Sequence, residues 1–260
     1  MPVTRVLTIA GSDSGGGAGI QADLKAFAAA GAHGMSAIVA LTAQSTTGVA
    51  AVHEVPPAFV VAQLEAVFGD IGVDAAKTGM LYSRRTIEAV AEVLAVQRVP
   101  LVVDPVMVAS SGAKLLEADA SVALVRLLFP LATVVTPNLP EAHALAGDGD
   151  RRELAEKLVE LGAAAAIVTG GHGDPVDHLF DGREHVEIPV ERHEVAATHG
   201  AGCTHSATLA ALLGRGLPLV DAAREAARAA GEAVRNGLVE LGAGEGPVDV
   251  LNVKGIHERR

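Results

Sequence analysis

The residues best suited to chemistry form one short run, residues 198–204, with the sequence Thr-His-Gly-Ala-Gly-Cys-Thr. An Ala-rich helical stretch from about 205 to 213 follows directly. Glycines just before a helix let backbone N–H groups converge, and the helix start adds a partial positive charge. The run therefore predicts a site for a phosphate or another anion, although an ordinary glycine turn before a helix has the same composition.

Cys203 lies where this loop becomes helix, and that position tends to lower the pKa of a thiol. It is the only cysteine of the chain. Three roles are open to it: a nucleophile, a general base, or a small buried residue.

A second glycine-rich run, residues 11–19, follows a short apolar strand near the N-terminus. It lacks the Lys-Ser/Thr ending of a P-loop and the spacing of a dinucleotide-binding loop. Its glycines let a ligand or another backbone come close. Asp23, in the helix that follows, either accepts a hydrogen bond from a ligand or is a helix-start carboxylate. Two such loops in one acidic protein indicate a small phosphorylated ligand.

Two carboxylates follow predicted strands. Asp104 ends a buried strand, where a carboxylate is costly unless it is paired or bound to a metal. Asn138 is placed at a helix start with Glu141 one turn later. This spacing is typical of a capping box, and it also suits a Mg²⁺ site, with water-mediated ligands, shared with nucleotide phosphates.

Two further polar side chains lie at strand ends. Lys77 follows a short strand and either reaches a phosphate or is solvated. Gln44 lies in a polar loop after a strand, and its amide offers a donor and an acceptor together. Such an amide suits the edge of a heteroaromatic ring, or it caps backbone groups of its own loop.

The histidines raise the possibility of a transition-metal site. His172, His178, His199 and His205 lie in the C-terminal half, but no pair has the spacing of a recognised zinc motif. The sequence therefore predicts no transition-metal centre.

Apolar runs of strand length alternate with helical patterns along most of the chain. Strands are predicted at 6–10, 36–41, 73–76, 101–103, 133–135, 165–168, 176–180 and 184–189, and helices at 20–30, 58–68, 86–96, 122–128, 150–161, 201–213 and 219–238. Such alternation predicts an α/β fold with a parallel sheet covered on both faces, here as one domain spanning residues 1–260. Ligands of such sheets bind at the carboxyl ends of the strands, where the polar residues above are placed.

The bulk properties restrict the choice of partners. The formal net charge of -11 argues against nucleic acid or an anionic membrane surface as the main partner. A single cysteine excludes an internal disulfide, and the N-terminus shows no signal peptide, so a cytoplasmic location is expected. Residues 26–53 lack Asp, Glu, Lys and Arg but contain glycines and a polar loop, which argues against a membrane span.

Taken in order, the motifs closely resemble the hydroxymethylpyrimidine/phosphomethylpyrimidine kinases of thiamine biosynthesis. The matching segments are 8–25, 41–44, 76–80, 103–107, 136–138 together with Glu141, 170–172 and 198–204. The resemblance implies a ribokinase-like three-layer α/β/α sandwich with a mostly parallel sheet and a small β flap over the substrate. It also implies ATP, Mg²⁺ and a homodimer. The implied activity is phosphorylation of 4-amino-5-hydroxymethyl-2-methylpyrimidine and then of its monophosphate, both at one site.

The resemblance implies a role for each matching residue. The pyrimidine is expected to contact Gly11, Asp23, Gln44, Met80 and Met107 or its neighbour Val106; ATP is expected to contact Lys77, Asp104, Asn138, Thr169 and Gly171; Mg²⁺ is expected at Asp104 and Glu141; and catalysis is assigned to Cys203 with an anion hole of Gly200, Ala201 and Gly202. Two positions depart from the family pattern. Ala201 replaces the usual Thr, where only the backbone N–H is needed, and Thr169 replaces a common Lys, which removes a positive charge near the phosphates.

The expected mechanism is in-line phosphoryl transfer from MgATP, with Cys203 accepting the hydroxyl proton late. The nearest alternative is a pyridoxal or pyridoxine kinase, because the ring edge and hydroxymethyl group are similar. More distant alternatives are a Cys–His hydrolase that uses Cys203 with His199 or His205, and a non-catalytic pyrimidine-binding protein.

Overall fold

The computed structural model describes residues 3–108, 112–113, 115–117, 119–171 and 174–257. Nine strands of this part of the chain form a single sheet in the order β3-β2-β1-β4-β5-β6-β7-β8-β9. The strands are β1 (Arg5–Asp13), β2 (His33–Ser45), β3 (Gly48–Glu54), β4 (Ala75–Thr78), β5 (Leu101–Val103), β6 (Val134–Val135), β7 (Ala166–Val168), β8 (Val176–Phe180) and β9 (His185–Pro189). The six strands from β2 through β7 in this order pair in parallel, whereas β3, β8 and β9 are antiparallel additions at the two edges.

Helices cover both faces of the sheet. They are α1 (Gly19–Ala29), α2 (Pro57–Ala66), α3 (Arg84–Leu94), α4 (Ala120–Ala123), α5 (Leu139–Ala146), α6 (Arg151–Glu160), α7 (Ala201–Gly214), α8 (Leu219–Arg235) and α9 (Val253–His257). Alternate residues of β1 enter two separate cores, with Leu7 and Ile9 in one and Val6 in the other. The first core packs α2, α3 and α6, and the second packs α1, α7 and α8. The predicted three-layer arrangement is therefore confirmed.

The edge beside β2 differs most from the prediction. β2 continues to Ser45 and turns back through β3, a strand that the sequence pattern did not indicate. Residues 44–47 are Gln-Ser-Thr-Thr, which are polar and were interpreted as loop. Gln44 and Ser45 instead pair with β3 as an antiparallel hairpin, and Thr46 and Thr47 form its turn. Since this hairpin extends beyond the last residue of β1 that pairs with β2, it is the counterpart of the expected β flap.

Two other elements are shifted. β4 begins and ends two residues later than predicted, so Lys77 lies within a strand rather than after it. The helix predicted at 122–128 is a four-residue α-helix, Ala120–Ala123, continued by a π-helical turn and a 3₁₀ turn as far as Leu131. Along the described ranges, no helix is long and apolar enough to cross a bilayer.

Candidate active site

The predicted site residues converge at the carboxyl edge of the sheet, where β1, β4, β5 and β6 end. The chain leaves these strands directly into the first glycine loop, the Asp104 loop and α5. An isolated parallel bridge joins Asn138 and Thr169, so the segments after β6 and β7 remain side by side. Topology thus gathers residues from five separate parts of the sequence along one edge.

The two glycine-rich loops lock together. Gly200 has φ +86°, and a Cβ there would collide with the carbonyl oxygen of Gly17. A Cβ on Gly17 would in turn collide with the His199 ring. Only glycine allows this approach, so the backbone of the first loop lies directly against the N-terminus of α7.

The N-terminus of α7 has no side-chain cap and no acidic residue in its first turn. Uncapped N–H groups and the helix dipole make this end of the helix favourable for an anion. Ala201 N donates to Thr198 O at 3.0 Å, and the first turn then begins at Gly200. Gly200, Ala201 and Gly202, the predicted anion hole, therefore form the start of this helix, where the Ala201 N–H is already bonded within the turn.

Cys203 lies in this first turn and is half-buried. Desolvation raises the pKa of its thiol to about 12, with help from Asp23 and Asp104 and against the attraction of Lys77. The expected lowering of the pKa at a helix start is therefore wrong for this ligand-free site. The helix end is outweighed by the poorly solvated surroundings and by two nearby carboxylates, so the resting thiol is protonated at neutral pH.

Lys77 and Asp23 form an ion pair beneath the loops, with the lysine Nζ 3.0 Å from Asp23 Oδ1 and both side chains fully buried. Thr8 Oγ1 donates a further hydrogen bond to Asp23 at 2.6 Å. Burial by itself would lower the pKa of Lys77, but the negative groups around it raise the pKa. The solvated alternative for Lys77 is wrong, and Asp23 is neither a helix-start carboxylate nor open to a ligand.

Asp104 shares the same lysine, with its Oδ2 3.7 Å from Lys77 Nζ. Ser206 Oγ donates to the same carboxylate oxygen at 2.8 Å, which ties the end of β5 to α7. The negative charge of Asp104 also opposes the ionisation of Glu141.

Glu141 completes a capping box with Asn138, so that interpretation of the spacing is confirmed. The carboxylate also accepts a hydrogen bond from Met107 N at 3.4 Å. Burial and the nearby charge of Asp104 raise the pKa of Glu141 to about 8. Proteins usually hold Mg²⁺ with one or two carboxylates together with the phosphates of the substrate. Asp104 and Glu141 are two carboxylates of this kind, and the repulsion between their charges would be relieved by a cation. No group of three or more metal-binding side chains occurs within the described ranges.

Gln44 lies at the start of the flap turn, opposite the second loop. Its Nε2 is 3.4 Å from His199 Nε2, and its Oε1 is 3.1 Å from Thr42 Oγ1. Asp13 Oδ2 lies 3.0 Å from the same His199 nitrogen, Nε2. Asp13 and His199 were not among the predicted site residues. The Asp-Ser-Gly-Gly-Gly order is a signal for an Asx turn that would have found Asp13.

The remaining predicted contacts line the same edge. Gly11 N donates to the carbonyl oxygen of Met80 at 3.1 Å, and a Cβ on Gly11 would collide with the Met80 side chain. Met107 and Thr169 are half-buried, and Gly171 is exposed. His172 lies outside the described residues.

The other histidines do not gather around one point. His178 bonds to His185 on the β8–β9 hairpin, while His205 lies 3.2 Å from Asp177 beneath α7. His199 is held by Asp13.

Fold and site together define an α/β protein in which the uncapped N-terminus of a helix lies close to the amide of Gln44. The sequence profile of the phosphomethylpyrimidine kinase family matches residues 13–249, and the chain belongs to that family. A hydroxymethylpyrimidine/phosphomethylpyrimidine kinase of Rhizobium meliloti is 49% identical over 93% of this chain and 95% of its own. A thiamine biosynthesis bifunctional protein of Geobacter sulfurreducens is 48% identical over 99% of this chain, which spans only 54% of that relative.

Solved structures show the same fold. A Bacillus subtilis pyridoxal kinase in an ADP complex aligns with a TM-score of 0.89 and 36% identity, covering 97% of this chain and 99% of its own. A phosphomethylpyrimidine kinase of Clostridium difficile aligns with a TM-score of 0.79 and 39% identity, covering 89% and 99%. The predicted ribokinase-like α/β fold is thus confirmed.

Proposed function

We propose that this protein uses ATP to phosphorylate 4-amino-5-hydroxymethyl-2-methylpyrimidine, and then its monophosphate, to give the diphosphate used in thiamine biosynthesis. The observation that carries the proposal is the position of Gln44 beside His199, the residue that directly precedes the anion-binding turn at Gly200. An amide able to bind a pyrimidine edge and a helix end able to bind a phosphoryl group therefore share one pocket. Family membership supports both the kinase class and ATP as the phosphoryl donor.

The pyrimidine is held by Gln44 at its edge, with Gly11, Met80 and Met107 around the ring. Asp23 and Lys77 have no exposed surface from which to touch a ligand. We assign them to the support of the site: their ion pair fixes Asp104 and α1 beneath the phosphates. Gly200, Ala201 and Gly202 stabilise charge that develops on the transferred group.

The nucleotide is placed along the ends of β6 and β7, at Asn138, Thr169 and Gly171. Asp104 and Glu141 would hold Mg²⁺ there, since their crowded carboxylates favour a divalent cation over two bare charges. When bound, Mg²⁺ supplies charge neutralisation between the phosphates. Glu141 must lose its proton to bind the ion.

Cys203 is expected to accept a proton in the first phosphorylation but not in the second. In the first step an alcohol attacks, and its proton must be accepted by some group. In the second step the attacking phosphate is already ionised, so a base contributes little. With its raised pKa, the thiol is protonated at rest, and a proton-accepting role therefore requires that substrate binding first displace the thiol proton.

The closest alternative is pyridoxal kinase, which the similarity to the Bacillus subtilis pyridoxal kinase supports. The hydrolase alternative fits poorly, because a thiol with its pKa raised to about 12 is not a resting nucleophile. A protein that only binds the pyrimidine would not need the uncapped start of α7 or the buried carboxylates of Asp104 and Glu141, which suit phosphoryl transfer.

The deciding experiment measures ADP release from MgATP separately with hydroxymethylpyrimidine, its monophosphate and pyridoxal. We expect turnover with both pyrimidines. Turnover with pyridoxal alone would identify the protein as a pyridoxal kinase of vitamin B6 salvage. If no substrate causes ADP release, the protein is a non-catalytic binder. Gln44→Ala is the matched variant: it removes the ring contact but leaves the anion-binding turn, so the KM for the pyrimidine should rise most.

We also propose that the chain acts as one domain over residues 1–260, as a homodimer in the cytoplasm. Sedimentation of the purified protein tests the dimer. A monomer at micromolar concentration would contradict it.

A further inference from the structure

We propose that His205, acting through Asp177, holds the turn at residues 169–171 against α7 and so aligns the phosphoryl donor with the N-terminus of that helix. The inference rests on the proposed function, which assigns Thr169 and Gly171 to ATP, and deepens it by adding two residues to the site. Both act through the backbone of the turn rather than by touching the nucleotide, so they are positioning residues.

Asp177 anchors the turn that follows β7. It lies on β8 and is 3% exposed. Its Oδ1 accepts a hydrogen bond from Gly170 N at 2.6 Å, and Gly170 lies between the two residues assigned to ATP. A Cβ on Gly170 would collide with the backbone of Val176, so the turn is folded tightly back on β8. The position of residues 169–171 therefore depends on the Asp177 carboxylate.

The second oxygen of Asp177 faces α7. Its Oδ2 is 3.2 Å from Nε2 of His205, and both side chains are buried. The next residue of the helix, Ser206, donates its hydroxyl to Asp104. Two consecutive residues of α7 thus link the helix to the nucleotide-binding turn and to the proposed Mg²⁺ site.

The histidine itself is an unexpected choice for this position. α7 buries mostly small and apolar residues, and the His205 ring is 5% exposed among them. Within the described residues, neither of its ring nitrogens makes a well-aligned hydrogen bond. Such burial of a polar group destabilises the folded state, so packing alone favours an apolar side chain here. The contact with Asp177 accounts for the histidine, since hydrogen bonds of an active site often align only when the substrate is bound.

The link matters because phosphoryl transfer depends on alignment. A displacement of about 1 Å between reacting groups can reduce a rate about a hundredfold. If the turn at residues 169–171 shifts, a nucleotide bound there shifts with it. The proposed pyrimidine contacts Gln44 and Met80 lie on β2 and just after β4, away from this turn. Loss of the His205 contact should therefore affect the nucleotide and spare the pyrimidine.

The test compares the wild type with His205→Leu, which cannot bond to Asp177, and His205→Gln, whose amide N–H has a reach similar to that of Nε2. Calorimetry measures the Kd for MgADP alone, and steady-state rates give the KM values for ATP and for the pyrimidine. We expect the Leu variant to raise the Kd for MgADP and the KM for ATP about tenfold, the loss of one contact with a carboxylate. The KM for the pyrimidine should stay unchanged, and the Gln variant should restore the wild-type values.

Thr208→Val is the matched control, because Thr208 is a second buried polar residue of α7. Within the described part of the chain, no hydrogen bond or ion pair joins it to Asp177. Its replacement should therefore leave the Kd for MgADP at the wild-type value. If the melting temperature shows that His205→Leu is poorly folded, His205→Met replaces it with the same expected values, since Met is flexible and equally unable to bond to Asp177.

Three results would overturn the inference and leave the proposed function intact: equal losses for MgADP and the pyrimidine, wild-type binding of MgADP by the Leu variant, or no recovery in the Gln variant. A tenfold loss in Thr208→Val would do the same, because it would show a general effect of α7. A wild type that binds MgADP but phosphorylates neither pyrimidine would overturn the proposed function, and the MgADP comparison would still decide the inference. A wild type that does not bind MgADP would overturn both.

Discussion

At the scale of single residues, the burial of charged side chains determines which groups of the site are ionised and which can be replaced. Lys77 Nζ faces Asp23 and Asp104, and both members of its ion pair are fully buried. A buried charge is tolerated only while its partner is present. The pair therefore acts as a support whose loss affects the fold first and the chemistry through it.

Lys77→Met should lower the free energy of unfolding by about 3–5 kcal/mol, the cost of leaving a buried carboxylate without its partner. Urea unfolding of the ligand-free protein measures the change. The double variant Lys77→Met, Asp23→Leu should recover part of that loss, because no isolated charge then remains between β4 and α1. A single variant as stable as the wild type would show that the pair is not buried in solution.

Thiol reactivity should follow the raised pKa of Cys203. Because the pKa is about 12, the fraction of thiolate rises with pH across the whole neutral range. The rate of alkylation by iodoacetamide should increase about tenfold per pH unit from pH 7 to pH 9, with no plateau. Since Cys203 is the only cysteine, the signal is unambiguous. A plateau near pH 7 would mean that the helix end, and not desolvation, controls the thiol.

Cys203→Ala should reduce the first phosphorylation more than the second, because only the alcohol must lose a proton. Single-turnover rates with the pyrimidine and with its monophosphate measure the two steps separately. Cys203→Ser is the matched control, since it keeps a protic group of similar size. Similar losses in both steps would count against a proton-accepting role.

At the scale of elements, two loops and the helix end that they surround form the anion site. Gly200 adopts a left-handed conformation and touches the backbone of Gly17. Gly202, two residues later, has open space where a Cβ would lie. A side chain can therefore be added at Gly202 without a collision, but not at Gly200.

Gly200→Ala should destabilise the protein by about 1–3 kcal/mol, because an alanine there is strained and collides with Gly17. The same change should lower kcat, since relief of the collision moves the α7 turn away from the first loop. Gly202→Ala is the control for stability, and it should leave the free energy of unfolding nearly unchanged, because a Cβ there meets no other atom. Comparable effects in both variants would contradict the close approach of the loops.

Much of this element scale could be predicted from the sequence, and the exceptions have physical causes. The buried parallel strands are continuous apolar runs, and Asp150 marks the start of α6 as expected. The flap strand β3 was missed because it lies at the edge of the sheet and buries none of its residues fully, so no apolar alternation is required there. The roles of Asp13 and His199 depend on a contact across 186 positions, which no local pattern encodes.

At the scale of the whole molecule, the sheet order explains why the site could still be located. Parallel strands with covering helices place their carboxyl ends at one edge, so separate polar motifs had to meet there. What the sequence did not reveal is which of them face the ligand. Lys77 and Asp23 are hidden by α7, a helix that the chain adds more than a hundred residues later. Burial of this kind is a property of the assembled layers.

The contact between the two glycine loops also determines when, during synthesis, the site can form. The first loop, residues 11–19, leaves the ribosome early, but the surface against which it rests is provided by residues 199 and 200. Until those residues emerge, the growing chain has the flap and the Gln44 amide but neither the His199 ring nor the N-terminus of α7. The site that the two loops form together is therefore complete only after about three-quarters of the protein has been made.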